Sequence, residues 1–168
     1  AASDVYKRQI YDGNENLDKE AVLHKTNGTY TPEIWAGAFP EGEMESLDLV
    51  VLSPGVPTDL PLVKSFYEKG LPVWSEVELA YRTGKGEVLA ITGTNGKTTT
   101  TALLGKIMGD ARESVFVVGN IGTAYTSKSL EMREDSVTVA EISSFQLETI
   151  EQFRPKVSAI LNITAVSY

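Results

Sequence analysis

The hexapeptide GTNGKT at residues 93–98 has the residue types of a phosphate-binding loop. It follows the apolar run 88–91 and leads into a run that is predicted to be helical over 97–108. Glycines let a loop turn its backbone N–H groups inward, a lysine offers a cation to β- and γ-phosphates, and a threonine hydroxyl can ligate Mg²⁺. A helix that starts at such a loop adds the positive end of its dipole. We therefore predict that this loop binds phosphate groups together with a magnesium ion.

The loop is shorter than the general phosphate-binding pattern, which has four residues between its two glycines. That pattern would need glycine at position 91, where this chain has Ile91. The alternative is a Gly-Asn turn followed by an ordinary helix start. The predicted strand before the loop and the Lys-Thr pair after it favour phosphate binding.

Four apolar runs are predicted to be strands, and each is followed by a small or polar residue. The runs are 88–91, 114–118, 136–140 and 157–161, and the residues that follow them are Thr92, Gly119, Glu141 and Asn162. In an open α/β sheet, ligands bind in the crevice at the carboxyl ends of the strands. We therefore expect these polar groups to meet where a ligand lies.

Glu141 is the candidate metal ligand among these residues. A glutamate at a strand end is by itself more often a helix-start or surface residue, but the neighbouring phosphate loop favours a role in holding Mg²⁺ or its waters. One of Ser143 and Ser144 is expected to cap a helix over 144–152. Gln146 could face a phosphate or a sugar, and Asn120 is either a turn residue or a ligand contact.

Upstream of the phosphate loop the chain alternates between predicted strands and helices. One strand stops at the turn SPGVP, because its two prolines and one glycine do not continue a strand. Thr58 or Asp59 is expected to cap the helix that follows, and Gly70 is expected to end it. The predicted elements are strand 47–52, turn 53–57, a helix to Gly70, strand 71–74 and a second helix from Glu76.

The polar stretch 82–87 carries two glycines and is predicted to link two domains. We predict an α/β fold with a mostly parallel sheet, divided into domains at 10–83 and 84–165. Residues 1–9 and 166–168 resemble the translated ends of a transposon used in sequencing libraries. We expect both segments to be scars that take no part in the fold.

Composition argues against several classes of function. The 168 residues include 15 Lys and Arg against 23 Asp and Glu, a net charge of −8, without a basic cluster. We therefore expect no nucleic-acid partner. The absence of cysteine excludes disulfides and thiolate metal sites. No apolar run approaches the ~20 residues that span a bilayer, so we expect a cytoplasmic protein without a membrane partner. His24 is separate from every motif and is expected on the surface.

The loop and several further strings resemble one enzyme family. TGTNGKT at 92–98 resembles the shortened phosphate loop of the ATP-dependent Mur ligases and folylpolyglutamate synthetases, and EISSFQLE at 141–148 resembles the Mur ligases that add D-glutamate. SPGV at 53–56, VGNIG at 118–122 and LNIT at 161–164 occur in the order and approximate spacing of those ligases. The resemblance covers nearly the whole chain between the suspected scars.

The resemblance implies an ATP-dependent ligase of peptidoglycan biosynthesis in the cytoplasm. Such an enzyme joins D-glutamate to UDP-N-acetylmuramoyl-L-alanine through an acyl phosphate, and so serves cell-wall growth, cell shape and cell division. It implies a partial Rossmann-like UDP-binding domain at 10–83 and a partial P-loop ATPase domain at 84–165. A third domain, which recruits the amino acid, is expected outside this sequence. The implied partners are small molecules, and we expect a monomer.

The resemblance also implies roles for individual residues, carried over by position. Lys97 and Glu141 would be the catalytic residues, with Thr98 and Glu141 as ligands of Mg²⁺. ATP would be bound by Gly93, Thr94, Asn95, Gly96, Lys97, Thr98 and Thr99. Asn120, Ser143 and Gln146 would contact the UDP-muramoyl substrate, and Ser53 and Gly55 its diphosphate. Asp12 matches a uracil contact only weakly.

The sequence departs from the family pattern after residue 164, and other functions stay open. The family continues with an acidic residue and a metal-binding histidine, whereas this chain has AVSY at 165–168. We therefore expect the chain to be inactive by itself.

A folylpolyglutamate synthase is one alternative function, although its loop ends in Gly-Lys-Gly-Ser. A small GTPase would need a full-length loop and an Asn-Lys-x-Asp motif, which are missing here. A non-catalytic module that binds a UDP-sugar is the remaining alternative.

Overall fold

The computed structural model describes residues 7–26, 31–120 and 122–164. The chain forms two compact units, residues 1–47 and residues 48–168. Helices alternate with strands, and every strand pair among the described residues is parallel. The predicted α/β fold with a mostly parallel sheet is confirmed, whereas the predicted domain boundary between residues 83 and 84 stays a prediction.

The described residues of the first unit form two strands, one short α-helix and a 3-10 helix. Strands β1 (Gln9–Asp12) and β2 (Glu33–Ala36) pair in parallel, and helix α1 (Lys19–His24) lies between them in the sequence. The Asp18 side chain caps α1 by accepting a hydrogen bond from the backbone N–H of Ala21. His24 is exposed at the end of α1, as predicted. A 3-10 helix, Glu43–Ser46, follows β2. Of the suspected scars, residues 1–6 and 166–168 lie outside the described residues. The expectation that residues 1–9 take no part in the fold was wrong for Arg8 and Gln9, because Gln9 begins β1 and the carbonyl oxygen of Arg8 accepts a hydrogen bond from the N–H of Glu33 at 3.0 Å.

The second unit starts with the βαβα passage that the sequence predicted. It consists of β3 (Val50–Leu52), α2 (Pro61–Glu68), β4 (Val73–Ser75) and α3 (Glu76–Thr83), with β3 and β4 paired in parallel. Helix α2 packs through its buried residues Val63 and Phe66. The predicted cap of α2 was wrong, because Leu60 precedes the helix and no side chain caps it. The hydroxyl of Thr58 instead donates a hydrogen bond to Glu148 at 2.7 Å.

A four-stranded parallel sheet follows, with β7 and β5 in its centre and β6 and β8 at its edges. Its elements are β5 (Glu87–Thr92), α4 (Lys97–Ala111), β6 (Val115–Gly119), α5 (Thr126–Ser129), β7 (Val137–Glu141), α6 (Ser144–Leu147) and β8 (Val157–Ile160). All four predicted strands are present to within a residue at each end. None of the described helices is long and apolar enough to cross a membrane.

Several predicted segments differ from the structure: the strand predicted over 47–52 begins at Val50, and the helix predicted over 97–108 continues to Ala111. Arg82 and Thr83, assigned to a linker, form the last turn of α3, which stops before Gly84. The helix predicted over 144–152 ends at Leu147. Its continuation is not helical because the backbone N–H groups of residues 151–153 donate to the carboxylate of Glu78 instead of to helix carbonyls. The spacing of apolar residues does not reveal that Glu78, more than 70 positions away, binds this segment.

The core of the second unit lies between α3 and the sheet. Its buried members include Val77 and Ala80 of α3 and Val118 and Ala140 of the sheet. On α4, Gly105 is buried against β6, where a Cβ on that glycine would lie 2.3 Å from Cγ2 of Val117. The missing side chain therefore sets how closely α4 approaches the sheet.

We predict opposite effects for alanine at two glycines of α4. Gly105→Ala should destabilise the fold by about 1–3 kcal/mol, because the added methyl overlaps Val117. Gly109→Ala is the matched control on the same helix, where a Cβ would meet no atom within 4 Å. It should stabilise the fold by about 0.5–1 kcal/mol through helix propensity. Urea unfolding followed by circular dichroism measures both, and equal shifts for the two variants would contradict the proposed close approach.

Candidate functional site

The carboxyl ends of the sheet strands bring the predicted phosphate loop next to Glu141. In the register of β5 and β7, Ile91 is paired with Glu141, so the loop begins two residues beyond the partner of this carboxylate. On the other side of β7, Gly119 is paired with Glu141, which puts Asn120 directly after the same position. The three groups predicted at strand ends therefore occupy one edge of the sheet.

The loop needs both of its glycines. Gly93 has φ 141° and Gly96 has φ 83°, conformations that residues with a Cβ rarely adopt. Gly93 also lies against the end of β8, since a Cβ there would be 3.1 Å from the carbonyl oxygen of Asn162. These constraints fit a loop whose backbone, more than its side chains, forms the binding surface.

Asn162 fastens this loop to the sheet, a role that the sequence analysis did not identify. Its carbonyl oxygen accepts a hydrogen bond from the N–H of Thr94 at 3.1 Å. Its side-chain amide accepts one from the N–H of Asn95 and donates one to the carbonyl oxygen of Asn95, both at 2.9 Å. The only signal in the sequence was a polar residue after an apolar run, which does not reveal a partner 67 positions away.

Helix α4 starts at Lys97, and its amino terminus faces the loop. Gly96 is the cap residue, and no side chain caps the helix, so its first N–H groups are open to an anion. The ammonium of Lys97 donates to the carbonyl oxygens of Gly93 at 2.6 Å and Thr94 at 3.1 Å. Thr98 and Thr99 are exposed in the first turn. Loop, cation and helix terminus thus supply the donors that a polyphosphate requires.

Glu141 carries an unsatisfied oxygen at this edge. The residue is 2% exposed. Its Oε1 accepts a hydrogen bond from the side-chain amide of Asn120 at 3.2 Å, whereas its Oε2 is buried without a hydrogen-bond partner. A buried carboxylate oxygen without a partner costs free energy that a cation or a donor recovers.

The donor set at this edge fits Mg²⁺. The metal needs oxygen ligands and is typically held by one or two protein groups together with phosphate oxygens and water. The free oxygen of Glu141 and the exposed hydroxyl of Thr98 are such groups. Within residues 7–26, 31–120 and 122–164, no three His, Cys, Asp or Glu side chains cluster as a protein-only metal site. A metal held by these two groups would complete its coordination with phosphate oxygens and water.

One pocket is lined by three of the five residues predicted to bind the substrate. Ser53, Gly55 and Gln146 line it, and Asn120 and Ser143 do not. The remaining lining residues come from the turn after β3, the start of α3 and the α6 region: Leu52, Pro54, Val56, Thr58, Ser75, Phe145 and Thr149. Residues that are 90 positions apart in the sequence thus meet in one concave surface.

Gln146 presents a free donor in this pocket region. Ser143 and Gln146 form a capping box at the start of α6. The Gln146 Oε1 accepts hydrogen bonds from the Ser143 N–H at 2.9 Å and from its hydroxyl at 3.0 Å. The Gln146 Nε2 is buried and has no partner. Ser143 is therefore the predicted cap, and the amide nitrogen of Gln146 is free to donate to a ligand oxygen.

Comparisons with known proteins point to one enzyme family. Residues 91–166 match the family model of the Mur ligase middle domain. The chain is 59% identical over 155 residues to the UDP-N-acetylmuramoylalanine–D-glutamate ligase of Lachnospira eligens, covering 92% of the chain and 34% of that ligase. The ligase of the same name from Lachnoclostridium phytofermentans is 56% identical with the same coverage. The one from Alkaliphilus oremlandii is 55% identical over 130 residues, 76% of the chain and 29% of that ligase.

The chain therefore spans about a third of the length of the relatives that it matches. The match to the family model covers the phosphate loop, Glu141 and α6, and the similarity to the ligases extends over nearly all of the chain. These findings show that the chain belongs to the Mur ligase family.

Proposed function

We propose that this chain is part of an ATP-dependent ligase that joins D-glutamate to UDP-N-acetylmuramoyl-L-alanine in peptidoglycan biosynthesis. The substrates are inferred from the names of its relatives, UDP-N-acetylmuramoylalanine–D-glutamate ligases. Because the chain spans a third of their length, the activity belongs to a longer parent protein. We further propose that the parent is a cytoplasmic monomer that serves cell-wall synthesis, cell shape and division, with no nucleic-acid or membrane partner.

The reaction needs an activated carboxyl group, because a carboxylate has a poor leaving group for attack by an amine. Transfer of the γ-phosphoryl group of ATP to the L-alanine carboxylate oxygen gives an acyl phosphate and ADP. The amine of D-glutamate then attacks the acyl carbon, loses a proton and forms the amide as phosphate leaves. The proposed enzyme is therefore a ligase that consumes one ATP for each amide bond.

Residues at the sheet edge would bind the phosphates of ATP and stabilise the charge of phosphoryl transfer. The backbone N–H groups of the loop and of the first turn of α4 would hold the phosphate oxygens. The ammonium of Lys97 would leave the carbonyl oxygens of Gly93 and Thr94 and move to the β- and γ-phosphates. Mg²⁺, held by Thr98 and Glu141, would neutralise charge on the phosphoryl group.

The pocket residues Ser53, Gly55 and Gln146 would contact part of the UDP-linked substrate. Backbone and hydroxyl groups of the turn after β3 suit a diphosphate, and the free amide nitrogen of Gln146 suits a phosphate or sugar oxygen. Asn120 and Ser143 would complete the contacts from the neighbouring strand ends. Among described residues no side chain stands out as a base for the amine, so we assign that role to none of them.

The observation that carries this proposal is the unpaired, buried Oε2 of Glu141 beside a glycine loop that opens a helix. A purely structural glutamate would have both oxygens satisfied. A non-catalytic UDP-sugar module is the main competing function. Separate calorimetric titrations of the parent with UDP-N-acetylmuramoyl-L-alanine and with Mg·ATP distinguish the two, because a module would bind the first ligand and not the second.

We predict that Lys97→Ala in the full-length parent lowers kcat by about 10²-fold or more, because a cation aimed at the transferred phosphoryl group is lost. Lys106→Ala is the matched control, since this lysine is exposed on the same helix. Both variants should unfold at the same urea concentration as the parent. Phosphate release from ATP measures turnover, and an unchanged rate in Lys97→Ala would refute its catalytic role.

We predict that Glu141→Gln raises the Mg²⁺ concentration for half-maximal activity by on the order of tenfold. The amide keeps one oxygen that can accept the hydrogen bond from Asn120. It replaces the other oxygen with an NH₂ group and removes the negative charge. Glu113→Gln, the same change at an exposed position, should leave the Mg²⁺ dependence unaltered. A magnesium titration of initial rates checks both variants, and coinciding curves would show that Glu141 is not a ligand.

We predict that Gln146→Glu raises the KM for the UDP-linked substrate by about tenfold, the loss expected for one hydrogen bond to a charged group. The change keeps the oxygen that completes the capping box. It replaces the free donor with a second oxygen and adds a negative charge, both of which weaken binding of an anionic ligand. The KM for ATP should stay within about twofold and serves as the internal control. Parallel increases in both KM values would mean that the substitution disturbs the fold instead of one contact.

A further inference from the structure

Two glutamates of α3 lie outside the proposed site and bind backbone segments that follow two different strands. Glu78 is fully buried. Its Oε2 accepts hydrogen bonds from the N–H groups of Glu151 and Phe153 at 3.0 Å each, and its Oε1 accepts one from Gln152 at 2.9 Å. One carboxylate therefore satisfies three consecutive backbone donors in the segment between α6 and β8.

Arg82, one turn further along α3, completes this cluster. Its Nε donates to Glu78 Oε1 at 2.6 Å, and another guanidinium nitrogen donates to the Glu151 carboxylate at 2.7 Å. The guanidinium also lies 4.0 Å from the ring centre of Trp74. Burial would raise the pKa of Glu78, but the three N–H groups and Arg82 outweigh it and hold that pKa below its usual value. The carboxylate thus stays charged and keeps its four partners.

Glu76 makes the corresponding contact with the loop after β6. Its Oε1 accepts hydrogen bonds from the N–H of Thr126 at 2.6 Å and from the Thr126 hydroxyl at 2.8 Å. Thr126 starts α5 and ends the loop that contains Asn120. Within that loop, the N–H of Gly119 donates to the carbonyl oxygen of Thr123 at 2.9 Å. Asn120 itself donates its N–H to the carbonyl oxygen of Glu141 at 2.9 Å, and the loop that begins with it ends at the anchor on α3.

The segment held by Glu78 directly follows α6, the helix that carries Gln146. Its Thr149 lines the substrate pocket together with Ser75, and the N–H of Ser75 donates to the Thr149 carbonyl oxygen at 3.4 Å. Ser75 in turn caps α3, because its hydroxyl accepts from the N–H of Glu78 at 3.2 Å. The start of α3 thus forms part of the pocket wall, and the same helix fixes the chain beyond Gln146.

We propose that Glu78 and Glu76 are positioning residues for the UDP-linked substrate. Glu78, with Arg82, fixes the segment that directly follows α6 and so sets the position of Ser143 and Gln146 at that helix. Glu76 sets the position of the loop that carries Asn120. Helix α3 therefore positions the predicted substrate contacts after β6 and after β7 relative to the pocket at the start of α3. This inference rests on the proposed function, because it assigns these segments to substrate binding.

The test uses the full-length parent and compares the KM values of the two substrates. Glu78→Gln cannot accept all four hydrogen bonds, so the KM for UDP-N-acetylmuramoyl-L-alanine should rise at least tenfold while the KM for ATP stays within about twofold. Glu76→Ala should raise the same KM, whereas Glu76→Gln keeps the accepting oxygen and should restore it. Glu68→Gln, an exposed carboxylate on α2, is the matched control without effect.

If Glu78→Gln does not fold, a milder variant and a hydrogen-exchange measurement still test the inference. Arg82→Lys keeps the charge but loses the planar group that joins Glu78, Glu151 and Trp74, and it should raise the KM for the UDP-linked substrate severalfold. Hydrogen exchange of the amides of residues 143–153 should accelerate in the same variant. A lowered unfolding midpoint with both KM values unchanged would overturn the inference and leave a purely stabilising role.

The same experiment separates the two proposals. An unmodified parent that releases no phosphate from ATP in the presence of both other substrates would overturn the proposed function, and with it the assignment of these segments to substrate binding. An active parent whose α3 variants keep the original KM values would overturn only the positioning role.

Discussion

Strand β7 lies between β5 and β6, and all five of its residues are buried. A shift of this strand by one residue would turn its side chains to the opposite face, so burial on both sides fixes the register. That register pairs Glu141 with Ile91 on one side and Gly119 on the other. The proximity of the phosphate loop, the carboxylate and Asn120 is therefore a consequence of packing in the sheet centre.

Patterns within a few residues predicted most of the second unit. The apolar runs before Thr92, Glu141 and Asn162 are strands, and their common edge follows from parallel pairing. The phosphate loop could be recognised because its glycines, Lys97 and Thr98 must stand together to contact one ligand. Local signals also predicted a helix cap at Ser143 or Ser144, and Ser143 is the cap, in a capping box that Gln146 completes.

Features that depend on distant residues could not be predicted in this way. The helix expected over 144–152 stops at Leu147, because Glu78 binds the N–H groups of residues 151–153. Thr58, expected to cap α2, bonds Glu148 across 90 positions instead. Asn162 could be predicted as a polar residue after a strand, but its hydrogen bonds to the backbone of Asn95 form only once the sheet has folded. The roles of the individual site residues remain predictions.

Glu78 and Glu141 are both buried carboxylates, and their partners differ. Glu78 has four donors for its two oxygens, whereas Glu141 has one donor and an oxygen without any partner. Four buried side-chain atoms are unpaired among the described residues, and the other three are in Trp74, Thr101 and Gln146. Glu141 and Gln146 are the two that sequence motifs had assigned to ligands. Since an unpaired buried group costs stability that a paired one does not, this contrast fits an internal anchor at Glu78 and supports the proposal that Glu141 binds a ligand.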